Sequence, residues 1–157
     1  MTATVQESSM QIWVDGDACP VEIKELLFRA AIRVKMRLTV VANQSLRIPK
    51  SEFLSLLVVT SGANIADKQI VELVQAGDLV VTADIPLAAH VVQKGGIALD
   101  PRGRRFTEEN IGERITMRNL LDELRGNDLI TGGPAPFGPK DKQAFANQLD
   151  RLLAKRS

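Results

Sequence analysis

A single cysteine, Cys19, excludes an internal disulfide and any zinc site built from cysteines. Tyrosine is absent and aromatic residues make up only 4% of the chain, too few for a platform on which successive bases stack. Neither sign of charge dominates. The 20 Lys and Arg stand against 19 Asp and Glu, which argues against a surface built as a whole for nucleic acid and leaves room for a local basic patch. Long apolar runs are missing too: nothing approaches the ~20 residues that span a bilayer, so no membrane partner is expected. Residues 1–10 are polar and lack the basic segment and apolar run of a signal peptide. The expected location is the cytoplasm.

What is present is an ordinary globular composition, 45% hydrophobic and 25% charged over 157 residues. That length suits one domain with a core of its own. Residues 1–10 read as a disordered tail and 11–157 as a single α/β domain.

Ile12-Trp13-Val14 is a short apolar run that stops at Asp15-Gly16-Asp17, as a buried strand entering a loop does. Pro20 suits the first turn of the helix that follows, with Ile23, Leu26, Leu27, Ala30, Ala31 and Val34 on one face. Further strands are predicted over 38–42, 56–60, 79–83 and 97–99. Helices are predicted over 87–94, around 115–125 and over 141–155, and another after Asn64, which pairs with Asp67 as a cap. Continuous apolar strands alternating with helices indicate a mainly parallel five-stranded sheet covered on both faces, a three-layer arrangement, with additional C-terminal helices.

In open parallel sheets, ligands bind beyond the carboxyl ends of the strands. Asp15, Asp17, Asp84 and Asp100 close predicted strands, and Asp67 opens the helix after the third. Carboxylates gathered on one rim repel one another and call for protons or a cation. A hard divalent ion, Mg²⁺ or Mn²⁺, is the natural partner and can activate water for attack on a phosphoryl group. Each acid also has a plainer role. Asp15 and Asp17 can solvate a turn, Asp67 can complement a helix dipole, Asp84 can cap a helix ahead of Pro86, and Asp100-Pro101 can turn the chain.

Val14-Asp-Gly-Asp-Ala-Cys-Pro-Val21, Val41-Ala-Asn-Gln44, Thr82-Ala-Asp-Ile-Pro-Leu-Ala-Ala89, Pro101-Arg-Gly103, Thr131-Gly-Gly-Pro134 and Phe145-Ala-Asn147 together resemble the YaiI/YqxD family of bacterial proteins. That family is in turn similar to the PIN-like (NYN) nuclease superfamily, whose members cut RNA or DNA with acid-bound metal. The resemblance implies a PIN-like domain in which Asp15 is the first-strand acid, Asp67 the helix-start acid, and Thr82 with Asp84 the Thr-x-Asp motif. Gly16 stands where the family more often has Ala, and Asp100 where Asn is common, so a charge at 100 is not implied.

The functional reading is a metal-dependent nuclease. Its catalytic candidates are Asp15, Asp17, Asp67 and Asp84, with Asp15, Asp17 and Asp84 as metal ligands. Thr82, Asn43, Arg102 and Arg118 are the candidates on the substrate side, Thr82 also by holding a carboxylate in place. The expected partner is nucleic acid, RNA foremost. Two alternatives stay open: a phosphatase with Asp15 as nucleophile and Asp17 as acid/base, and a non-catalytic metal- or nucleotide-binding regulator. Arg102, Arg104, Arg105, Arg114, Arg118 and Arg125 read either as phosphate contacts or as a solvated face balanced by neighbouring acids. Thr131–Pro139 reads as a lid or as a linker. Cys19 precedes a helix, where a thiol can be acidified, but the sole histidine, His90, lies in a separate helix, so burial is the alternative.

Overall fold

Strand β1 (Ile12–Asp15) is the centre of the molecule, and its side chains sort the core. Ile12 and Val14 face one way and Trp13 the other, as the two-residue period of a strand requires. The same alternation runs through β2 (Leu38–Ala42) and β4 (Leu79–Val81): Leu38, Val40, Leu79 and Val81 share the first face, Val41 and Val80 the second. In the computed structural model, which describes residues 10–60, 65–126 and 136–154, every β1 and β4 residue is buried. The expected N-terminal tail, apart from its last residue, the Asn64 cap and most of the Thr131–Pro139 loop lie outside the described residues.

The first face is covered by α1 (Val21–Val34) and α5 (Pro139–Ala154), through Ile23 and Leu27 on the former and Phe145, Leu149, Leu152 and Leu153 on the latter. The second is covered by α2 (Ile65–Leu73) and α3 (Ile85–Gln93), through Ala66, Ile70, Leu87, Ala88 and Val91. This is the three-layer α/β architecture expected. A fully buried Leu, Ile or Phe contributes roughly 1.5–3 kcal/mol relative to exposure, so each helix is held mainly by its apolar stripe. No helix among the described residues is long and apolar enough to cross a membrane.

The sheet order is β3-β2-β1-β4-β5-β6, with β3 at Leu54–Val58, β5 at Ile97–Leu99 and β6 at Arg105–Phe106. All pairs are parallel except β5 with β6. The expected five strands are therefore six. A two-residue strand carries no periodic signal, and β6 exists because Phe106 buries under the second face while pairing with Ala98. The third strand begins two residues earlier than expected, since Leu54 pairs with Leu38 and buries there. Only Leu54 of its five residues is fully buried, as suits an edge strand rather than a central one.

Helix α4 (Glu108–Gly126) likewise starts before the segment expected from its apolar residues. Thr107 and Asn110 explain the earlier start: each backbone N–H donates to the other's side chain, a reciprocal cap. None of the α4 residues is fully buried, and the helix lies against α3.

Candidate active site

The strand order reverses between β1 and β4. From β1 the chain moves outward through β2 to β3, then returns to the other side of β1 with β4. In open α/β sheets the crevice at such a reversal, beyond the carboxyl ends of the strands, is where ligands bind. Asp15 ends β1 and Thr82 follows β4, so both flank this crevice.

Thr82 is buried and its hydroxyl works in both directions. Oγ1 donates to Asp15 Oδ2 at 3.0 Å and accepts the Asp84 backbone N–H at 3.0 Å. A single hydroxyl thus fixes the Asp15 carboxylate and the entry of the chain into α3. Thr82 is 1% exposed, and its hydroxyl holds the Asp15 carboxylate in one orientation. Asp84 caps α3 by accepting the Leu87 N–H at 2.9 Å through Oδ1, ahead of Pro86 in the first turn. The plain capping role expected for Asp84 is real, and its carboxyl also meets Asp67.

Asp15, Asp67 and Asp84 act on one another electrostatically. Burial pushes the Asp15 carboxyl up, opposed by the Thr82 hydrogen bond and reinforced by the charges of Asp84 and Asp17. Burial also raises Asp67, together with the charges of Asp84 and Asp15 and a hydrogen bond to Asp84, to about 6. Among the described residues none of Asp15, Asp17, Asp67 and Asp84 forms an ion pair. Asp17 is exposed and accepts the Asn43 backbone N–H at 2.9 Å, which brings the loop after β2 to the same edge. Lys24 Nζ donates to the Gly16 carbonyl at 3.2 Å.

Gly16 itself is tightly surrounded. A Cβ there would lie 2.5 Å from Val40 Cγ1, so an alanine requires Val40 to move.

The remaining acids serve the framework. Asp100 lies at the same edge but is enclosed by its own turn: Oδ1 accepts the N–H groups of Arg102 and Arg104, and Oδ2 pairs with Arg114 at 3.0 Å. Its charge is thereby answered, and it does not join the other carboxylates. Arg114 also lies over the Phe106 ring at 4.0 Å. Asp78 is 3% exposed and accepts from Gln11 N, Trp13 Nε1 and Gln75 N.

Arg102, expected to meet phosphate, donates from Nη1 to Asp141 at 2.9 Å and lies over Phe137, which ties the turn after β5 to the start of α5. Gly103 has φ +88, and a Cβ on it would sit 2.5 Å from the Ala144 carbonyl carbon. The Pro101-Arg-Gly103 motif is thus a dock for α5. Cys19 is buried with the first-face core, and burial pushes its thiol up to about 12, the opposite of the acidification a helix start can give.

Beside the carboxylates runs a cleft of about 600 Å³ between α2 and α3, with α4 alongside. Asp67 and Asp84 line one end, and Lys68, His90 and Arg118 line it as well. Arg118 was expected at a substrate site. Lys68 and His90 were not, because their only sequence signal is a place on the first or second turn of helices that start at a carboxylate.

Comparison with known proteins bears on the whole chain. The family described as "Uncharacterized BCR, YaiI/YqxD family" matches residues 13–155. A UPF0178 protein of Thioalkalivibrio sulfidiphilus is 57% identical over 147 residues, covering 94% of this chain and 100% of the relative. One from Hydrogenovibrio crunogenus is 56% identical over 146 residues, 93% of this chain and 97% of the relative. One from Pectobacterium atrosepticum is 55% identical over 144 residues, 92% and 96%. No solved structure matches the chain.

Proposed function

The chain belongs to the YaiI/YqxD family of bacterial proteins, and on that premise we propose that it is a cytoplasmic, divalent-metal-dependent nuclease that hydrolyses phosphodiester bonds, with RNA as the foremost substrate. One observation carries the reading. Asp15, Asp67 and Asp84 converge at the strand-order reversal, influence one another's ionisation, and have no ion-pair partner among the described residues. Carboxylates left in mutual repulsion beside a cleft are suited to a cation and an anionic substrate.

The donor set is all oxygen, which matches Mg²⁺ or Mn²⁺. Among the described residues no group of three or more His, Cys, Asp or Glu stands ready-arranged around a common point. Asp15 and Asp84 would hold the ion, with Asp17 and Asp67 as further ligands or as groups that orient water. When bound, the ion supplies Lewis-acid stabilisation of the phosphoryl oxygens and a more acidic water.

The protein's own part is positional. Thr82 holds Asp15 in one orientation, and the α3 cap holds Asp84 in another. The cleft carries the substrate past both. The phosphatase alternative draws less support from this geometry. Asp15 is 7% exposed with Oδ2 held by the Thr82 hydroxyl, and Asp17 Oδ2 is engaged by the Asn43 N–H, so neither is free to turn toward a phosphorus atom.

The test is cleavage of end-labelled single-stranded RNA with Mn²⁺, comparing wild type with Asp84→Asn purified identically. Asparagine caps a helix as well as aspartate does, so the variant keeps its fold. Activity that vanishes in the variant supports the reading. Equal activity in both assigns cleavage to a contaminant or another site. Metal binding without cleavage favours the binding-protein alternative.

A further inference from the structure

Resting on the nuclease reading of the same site, we propose that Arg118, with Lys68 and His90, forms a phosphate-holding wall that seats the phosphodiester next to the one being cut. The substrate class that follows is an oligonucleotide rather than a phosphomonoester.

The cleft begins at Asp67 and Asp84 and continues along α2 and α3 to His90. From Asp84 to His90 is six residues, roughly 9 Å of helix at 1.5 Å per residue. Its volume, about 600 Å³, is far more than one phosphate needs and is typical of a site for a small organic molecule. Room therefore exists for one further nucleotide beside the carboxylates. Leu87 and Val71 add an apolar stretch to the wall for a sugar or base.

The cleft is lined by Lys68, His90 and Arg118 as well as by its acids, and among the described residues none of these three has a carboxylate within ion-pair distance. Arg102, Arg104 and Arg114, by contrast, are each paired with an aspartate. The contrast within α4 is the sharpest: Arg114 is tied to Asp100, whereas one turn later the Arg118 guanidinium has, among the described residues, only a long contact, 3.4 Å, to its neighbour Asn119. A guanidinium offers a planar fork that fits a phosphate bidentately, Lys68 adds charge beside it, and the His90 ring can donate a hydrogen bond. Glu72 lies on the same helix one turn beyond Lys68 and also lines the cleft, where it opposes an anion.

Binding rather than cleavage tests this. A labelled single-stranded RNA hexamer is titrated with protein by fluorescence anisotropy, with Ca²⁺ present, across 50–200 mM salt. Arg118 is exposed, so Arg118→Ala folds normally, which thermal melting checks. Losing one phosphate contact from a single strand lowers the log–log salt slope by about 0.7, a roughly 2–3-fold smaller loss of affinity over that range. Arg118→Lys keeps the slope with weaker binding. Replacing single linkages by neutral methylphosphonates identifies one position that weakens the wild type and leaves Arg118→Ala unchanged. An unchanged slope in Arg118→Ala, or a nucleoside monophosphate bound as tightly as the hexamer, overturns the inference. Neither result touches the nuclease reading, which the Asp84→Asn cleavage assay decides separately.

Discussion

Thr82 and Asp15, 67 positions apart in the chain, are joined by a 3.0 Å hydrogen bond from a hydroxyl to a buried carboxylate. The same hydroxyl accepts the Asp84 N–H. Thr82→Val keeps the shape and removes both bonds. The cost is about 1–3 kcal/mol, because a buried carboxylate oxygen and a backbone N–H lose a partner. Urea denaturation measures it, and Thr82→Ser recovers most of the loss. A valine variant as stable as wild type would show that water replaces the hydroxyl.

Asp78 and Asp84 contrast a framework acid with a proposed ligand of the cation. Asp78→Ala leaves the buried Trp13 Nε1–H and two backbone N–H groups without their acceptor, so a loss of about 2–4 kcal/mol is expected. Asp84→Asn retains the cap of α3 and stays within about 0.5 kcal/mol of wild type. Chemical denaturation of the two variants side by side checks the contrast. Equal destabilisation would mean that the Asp84 charge is part of what holds the fold.

Asp67 gives the chelator-treated protein a pH dependence of definite sign. Its folded pKa is raised from 3.8 to about 6, so the folded state takes up a proton that the unfolded chain does not. The associated stability is fully present below about pH 4 and is lost as pH rises through 6. Asp67 is only half-buried, and solvent screening reduces the effect to about 1 kcal/mol. Between pH 7 and pH 4 this raises the wild-type melting temperature by roughly 2–4 °C relative to Asp67→Asn. Parallel curves for the two proteins would show that the carboxylates are not coupled.

Gly103→Ala is expected to be the most damaging small substitution at the dock of α5. It strains a backbone at φ +88 and drives a methyl to 2.5 Å from the Ala144 backbone. The loss is about 2–4 kcal/mol, with the α5 amides gaining hydrogen exchange before the sheet does. Exchange that rises uniformly would indicate that α5 and the sheet unfold as one unit.

Much of the molecule was legible from local pattern. Apolar runs placed five strands, and the 3.6-residue stripe placed the helices that cover them, because burial of one face is decided within about ten residues. The carboxylates at the strand ends were readable for the same reason. Only the tertiary structure decided which of them meet. Strand order brings β4 beside β1, so Asp84 and Asp67 face Asp15, while Arg114 reaches across to answer the charge of Asp100. The third strand's start, the short β6 and the burial of Asp78 beneath Trp13 were equally outside local pattern, since each follows from a pairing between distant segments. Residue type and period determined where charge would sit along the chain; contacts across up to 67 positions determined which charges remained unanswered.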